Sequence, residues 1–211
     1  SLQKIVLEDV PEAIAFNTVL DVTTLKAICY DDLEEAYSEE ELKAYPAKIA
    51  YSLDANGTDC KLDTAKNILK TSNKYGYITI SAMAVNSSTT TTVQDENGQD
   101  IVSSVKVWVG PKVKSVNVTE RMIATAGKNE VALEGKCLEN AMKVGLFDAS
   151  GKLFDEKDTK GNASTQKATL DVPSNIGGKA DVTYTVKYAI TDTYMDEPAA
   201  KIVVSNKIPA T

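Results

Sequence analysis

Two successive rounds of short segments alternating between apolar and polar residues, parted at Gly110-Pro111, constrain this chain more than any other feature of its sequence. A period of two buries one face of a strand and wets the other, so such segments must close on one another as packed sheets. The 211 residues suffice for two cores, each of about 100 residues. The spacing predicts strands at residues 4–10, 20–30, 47–53, 77–85, 87–93 and 101–109, and again at 113–118, 130–134, 142–148, 166–172, 181–190 and 200–205.

The clearest alternation is Ile78, Ile80, Ala82 and Ala84 against Thr79 and Ser81. Val105, Val107 and Val109 share a face, which turns Trp108, the chain's single tryptophan, away from that core. Val182, Tyr184, Val186, Tyr188 and Ile190 form another one-sided strand, so Tyr184 and Tyr188 read as core. Between the strands, Asn97-Gly98, Ser150-Gly151 and Gly177-Gly178 mark reversals, because glycine supplies the positive φ a tight turn needs. One short helix is expected at residues 38–44. Ser38 and Glu41 make a capping box, Tyr37 and Leu42 a hydrophobic staple, and Pro46 a stop.

The net charge is −7, and it sits wholly in the first half: residues 1–112 carry 10 basic and 17 acidic side chains, the remainder 13 of each. Asp31, Asp32, Glu34, Glu35, Glu39, Glu40 and Glu41 precede Lys43 without an intervening base, so residues 31–45 read as an acidic helical insertion. It is either a solvated surface or a patch for a cation or basic partner. Nucleic acid is not an expected partner, since phosphate binding needs a basic stripe. No apolar run reaches the length of about 20 residues that spans a bilayer. Ser1-Leu2-Gln3-Lys4-Ile5 does not read as a signal peptide and residues 206–211 read as a linker stub, so a fragment of a longer protein is expected.

The chain has no histidine, which removes histidine-dependent nucleophilic triads and histidine zinc sites. Cys29, Cys60 and Cys137 form no C-x-x-C pair; they are buried free thiols, or Cys29 and Cys60 form a disulfide. Asp54-Ala55-Asn56-Gly57-Thr58-Asp59 and Asp95-Glu96-Asn97-Gly98-Gln99-Asp100 share the form D-x-N-G-x-D, which suits a turn and, with more ligands, calcium. No phosphate-binding glycine loop is present, so no catalytic residue, cofactor or metal site is assigned.

The segments Leu25-Lys26-Ala27, Ala47-Lys48-Ile49-Ala50-Tyr51-Ser52-Leu53, Gly76-Tyr77-Ile78-Thr79-Ile80-Ser81-Ala82 and Val105-Lys106-Val107-Trp108-Val109 resemble a bacterial Ig-like domain of the group-2 (Big) kind, with Tyr51 where that family commonly has Trp. The second half, from Gly127-Lys128-Asn129 through Val144-Gly145-Leu146, is loosely similar to Ig-like or TIG-like sandwich domains. The expected fold is therefore all-β: two tandem immunoglobulin-like β-sandwich domains, residues 1–111 and 112–211, with a short helical insertion in the first. The resemblance implies a non-catalytic extracellular module pair of a bacterial cell-surface or secreted protein, a spacer joined to other domains. The alternative is an adhesin-type or carbohydrate-binding module for a glycan or host protein. Trp108 would then be a stacking platform, and Glu39, Glu40 and Glu41 the acidic contacts. In some surface Ig-like domains a Lys and an Asn or Asp on adjacent strands form an isopeptide crosslink, for which the sequence singles out no pair.

Overall fold

The computed structural model describes residues 1–208. The chain divides into two compact units, residues 1–110 and the segment from Pro111 onward.

The N-terminal unit contains β1 (Leu2–Leu7), β2 (Ala13–Ile14), β3 (Val19–Asp21), a 3-10 turn (Val22–Leu25), β4 (Ala27–Asp31), α1 (Glu39–Ala44), β5 (Ala47–Asp54), β6 (Lys61–Asp63), β7 (Ile68–Lys70), β8 (Gly76–Asn86) and β9 (Val102–Val109). One layer is made by β1 with β4 and by the order β3-β7-β6; the other has the order β2-β9-β8-β5. The C-terminal unit contains β10 (Lys112–Asn117), β11 (Arg121–Met122), β12 (Gly127–Lys136), β13 (Lys143–Phe147), β14 (Leu153–Asp158), β15 (Lys160–Gly161), β16 (Thr165–Val172), β17 (Val182–Ile190), β18 (Thr193–Tyr194) and β19 (Ala200–Val204). Its layers are β10-β12-β16-β15 and β11-β19-β17-β13-β14, with β18 beside β17.

Both units follow one plan. The entering strand starts in one sheet, crosses, and pairs in parallel with the last strand of the other: β2 with β9, and β11 with β19. These are the strand orders of immunoglobulin-like sandwiches. Each closes its own core. Leu2, Val22, Leu25, Leu69, Ile78 and Val109 are at most 1% exposed in the first unit, and Val131, Leu133, Leu146, Leu170, Val186 and Ile202 are 0% exposed in the second. Burying each such side chain favours folding by about 1.5–3 kcal/mol.

Several expectations are corrected. The strand expected at residues 20–30 is broken in two, because Asp21 Oδ1 accepts from the Thr23 amide and hydroxyl and caps a 3-10 turn, with Lys26 left-handed at φ 50°. Val22 and Leu25 are both buried because residues three apart align in a 3-10 turn; their spacing is not a strand's. The strand expected at 87–93, including Thr89-Thr90-Thr91-Thr92, begins as a turn, closed by Asn86 Oδ1 accepting from the amides of Ser88 and Thr89. Only its second half pairs, through a bridge from Thr92 to Val85 and the Val93 amide donating to Ala84 O. The acidic segment is helical only over Glu39–Ala44. Its first half is a hairpin loop, with Asp31 Oδ1 accepting from the Leu33 and Glu35 amides. All three cysteines are free thiols, so Cys29 and Cys60 are not paired. The linker reading of residues 206–211 falls in part on 209–211, outside the described residues.

Candidate functional site

The outer face of the β2-β9-β8-β5 sheet begins with an aromatic group. Trp108 on β9 lies across from Tyr77 on β8, with ring centroids 5.0 Å apart at 73°, and Tyr75, two residues earlier, lies 5.7 Å from Trp108 at 33°. Alternation positions these rings: Val107 and Val109 fill the core at 1% and 0% exposure, so Trp108 between them turns outward and is half-buried, while Tyr77 is 46% exposed. Along the same face Thr79 stands opposite Lys106 and beside Asp54, and the Ser81 and Ser104 hydroxyls lie 2.7 Å apart. Aromatic rings followed by hydroxyls and one pair of charges can stack on the apolar face of a sugar and hydrogen-bond its hydroxyls.

Glu39, Glu40 and Glu41 occupy the first turn of α1, capped by Ser38, whose Oγ accepts from the Glu41 amide at 3.1 Å. Acidic residues are favoured there by the helix dipole, which gives them a structural role. Tyr37 and Leu42 pack against the core on either side of the cap, as a staple requires. The helix leads into Ala47, which pairs with Asn86 at the opposite end of β8 from Tyr77, about 30 Å away at the usual strand rise. Trp108 and the three glutamates are therefore not parts of one site.

Other sequence candidates have structural duties. Asp54 Oδ1 accepts from the Asn56 amide, and Asp95 Oδ1 accepts from those of Asn97 and Gln99. The two D-x-N-G-x-D segments thus make different turns: Asn56-Gly57 is a pair of left-handed residues, whereas Asp95–Gln99 repeats the loop at Asp31 and a third at Asp148. Burial pushes the Cys29 thiol up to about 11 and raises that of Cys137, which disfavours the reactive thiolate. Tyr184 and Tyr188 are core residues at 6% and 4% exposure. Every lysine among the described residues is at least partly exposed.

Sequence reasoning missed one polar cluster, on the C-terminal unit. Tyr194 lies over Gly145, its hydroxyl donates to Glu156, and Lys143 Nζ bridges Asp192 at 2.7 Å and Glu156 at 3.7 Å. Burial and then Glu156 raise the Tyr194 hydroxyl far above the usual phenol range. The signal was Gly145 in the middle of a strand, where a missing side chain marks close approach by a neighbour.

No family model matches the chain, and no curated protein matches it. Among solved structures it is similar to the C-terminal domain of the Streptococcus agalactiae AgI/II polypeptide BspA, with 9% identity and a TM-score of 0.29 over 96% of this chain and 98% of that one. It is also similar to domains 4 and 5 of the S-layer protein SbsC, with 10% identity and a TM-score of 0.26 over 97% and 98%. A tandem pair of titin Ig domains gives 10% identity and a TM-score of 0.27 over 97% of each chain. Likenesses this distant assign no function to this chain, and the likeness to a group-2 bacterial Ig-like domain remains a resemblance in the residues quoted above.

Proposed function

We propose that this chain is a non-catalytic pair of immunoglobulin-like modules from a bacterial cell-surface or secreted protein, joined to other domains and acting as a force-bearing spacer. One observation carries the reading: in each unit an entering strand and the final strand are parallel neighbours. Pulling on the two ends of a unit drags these strands in opposite directions along their length, so the bonds between them load together in shear instead of opening one by one. In the first unit the Gly110 amide donates to Ile14 O at 2.8 Å. In the second, the Val203 amide donates to Glu120 O at 2.8 Å and that of Ser205 to Met122 O at 2.9 Å.

Single-molecule stretching of the whole chain from its ends should show two separate unfolding events. Val203→Pro, which deletes the donor to Glu120 O, should lower the force of one event and leave the other unchanged. A single low-force transition, or unaltered forces in the proline variant, would refute the spacer reading.

A second reading, recognition of a glycan, is favoured by the half-buried Trp108 in ring contact with Tyr75 and Tyr77 at the head of a hydroxyl-bearing face. On a glycan array, binding lost on Trp108→Ala with the melting curve retained would establish it. Silence from the folded protein across the array would remove it.

A further inference from the structure

In the C-terminal unit β16 pairs with β12 over eight residues, from Thr165 to Val172, and seals that side of the sandwich. In the N-terminal unit the corresponding β7 has three residues and pairs with β3, on the far side of the 3-10 turn from β4. Beyond β1, β4 has only the bridge from Tyr30 to Ala36, and β5 has only β8 beside it. α1 crosses the gap between these two edges and leaves a cleft of about 520 Å³, lined by all three elements. That volume lies within the usual range of small-molecule sites.

The walls are apolar, formed by Ile28, Leu42, Ala47 and Ile49. Tyr51 also lines the cleft; it is 8% exposed, and its hydroxyl has no hydrogen-bond partner among the described residues. Every fully enclosed polar side-chain atom among those residues does have one, so the Tyr51 hydroxyl opens into the cleft as an unused donor. Burial first, then Asp21 and Cys29, raise its pKa, and burial raises that of Cys29, so both groups stay neutral. The charged lining runs against the segment's composition. Lys26, Lys43 and Lys48 line the cleft with Glu39 alone among the acids, while Glu40 and Glu41 lie outside the lining. Lys26 is paired with Asp9 at 3.3 Å; Lys43 and Lys48 have no ion pair among the described residues.

We propose that this cleft binds a small monoanionic amphiphile, its carboxylate or sulfonate at Lys43 and Lys48 and its apolar body against Ile28, Leu42 and Ile49. The Tyr51 hydroxyl donates to an acceptor on the ligand. The site is independent of the force-bearing role and of the Trp108 face.

The probe is 1-anilinonaphthalene-8-sulfonate, titrated by fluorescence into the folded full chain. Saturable binding is expected, displaced by decanoate and not by decyltrimethylammonium. Reversing both charges, Lys43→Glu with Lys48→Glu, should weaken binding about tenfold or more at an unchanged melting temperature, since contacts to a charged group are worth that much. Tyr51→Phe should weaken it less, and amide shifts on binding should map to residues 27–29, 42 and 47–51. Absence of saturable binding, equal displacement by the cationic amphiphile, unchanged affinity in the charge-reversed protein, or shifts confined to other residues would each overturn the proposal.

Discussion

Asn129 is 2% exposed in the C-terminal unit, and its amide bonds chiefly to backbone. Its Oδ1 accepts from the Thr119 amide at 3.1 Å and its Nδ2 donates to Thr119 O at 2.9 Å, with Met122 Sδ at 3.3 Å from the same nitrogen. Thr119 lies where the chain leaves β10 in one sheet and enters β11 in the other. The side chain thus replaces the ladder bonds that the crossing interrupts. Asn129→Ala removes both bonds, each worth about 0.5–1.5 kcal/mol net, so the unit should lose about 2 kcal/mol. For a domain of this size that is about a 10 °C fall in melting temperature.

Asn129→Asp separates the hydrogen-bonding argument from simple loss of packing. A carboxylate still accepts from the Thr119 amide but cannot donate to Thr119 O, and burial in front of a carbonyl raises its folded pKa above the unfolded value of about 3.9. With a raised folded pKa the unfolded state loses its proton first as pH rises, so the variant loses stability through that window. Relative to the parent, its deficit should be greatest at neutral pH and should shrink as the solution is acidified below the raised pKa. Thermal unfolding followed by circular dichroism at several pH values gives the magnitude. Hydrogen exchange by mass spectrometry places it, with faster exchange expected at the β11–β19 amides and none added in residues 1–110. An alanine variant as stable as the parent, or an aspartate variant whose deficit does not change with pH, would refute the reasoning.

Glu34 stands at φ 61° in the Asp31 loop, where the equivalent loops at Asp95 and Asp148 carry Gly98 and Gly151. Glu34→Gly should therefore stabilise the N-terminal unit by up to about 1 kcal/mol, because the left-handed conformation costs glycine little and the 3.4 Å pair with Lys4 is surface-exposed; a lower melting temperature would contradict this. The raised pKa of Tyr194 means that its phenol stays protonated in the folded state while the unfolded chain ionises near the ordinary value of about 10. Stability should fall as pH climbs above that value, and Tyr194→Phe should flatten part of the fall in alkaline unfolding curves; an unchanged slope would count against it. With Cys29 pushed up to about 11, about one thiol in a thousand is ionised at pH 8. Because Cys29 and Cys60 are buried and Cys137 is partly exposed, alkylation at pH 8 should label Cys137 first and reach the other two only in denaturant, an order read directly by mass spectrometry.

The sequence was most legible where one face of a strand meets solvent and the other a core. β8 shows this: Ile78, Ile80, Ala82 and Ala84 are at most 1% exposed, and Tyr77, Thr79, Ser81 and Met83 face out. The α1 cap was legible for a similar reason, since Ser38 and Glu41 act within one turn. β14 was not. Its residues Leu153-Phe154-Asp155-Glu156-Lys157-Asp158 lie on a sheet edge and are all at least partly exposed, so no alternation records their pairing. Instead Asp155 Oδ2 accepts from the Asp171 amide of β16 at 2.7 Å, a contact between distant segments that no local pattern encodes. Breaks at non-glycine residues were hidden too: Lys26, Glu34 and Thr90 adopt φ of 50°, 61° and 60°, and turn signals written in glycine pass over them.

The candidate sites divide along the same line. The outward placement of Trp108 needed only the parity of β9, but its two tyrosine neighbours depend on the register of β8 against β9, which parity leaves open. The acidic run read as one patch because charge counting ignores what each carboxylate bonds. Asp31 closes a hairpin, Glu34 faces Lys4, and Glu39, Glu40 and Glu41 form the first turn of a helix capped by Ser38, so the run splits into a loop and a helix end. The cleft beneath that helix was the least legible feature, because it follows from what is short: three residues of β7 cannot cover both halves of a strand bent at Val22–Leu25. Had β7 the eight residues of β16, β4 would have a strand along its free edge and the space that Tyr51 opens into would be filled. Lengthening β7 by design should therefore abolish probe binding in the cleft while raising the stability of the N-terminal unit, a pairing of effects that a purely structural gap does not produce.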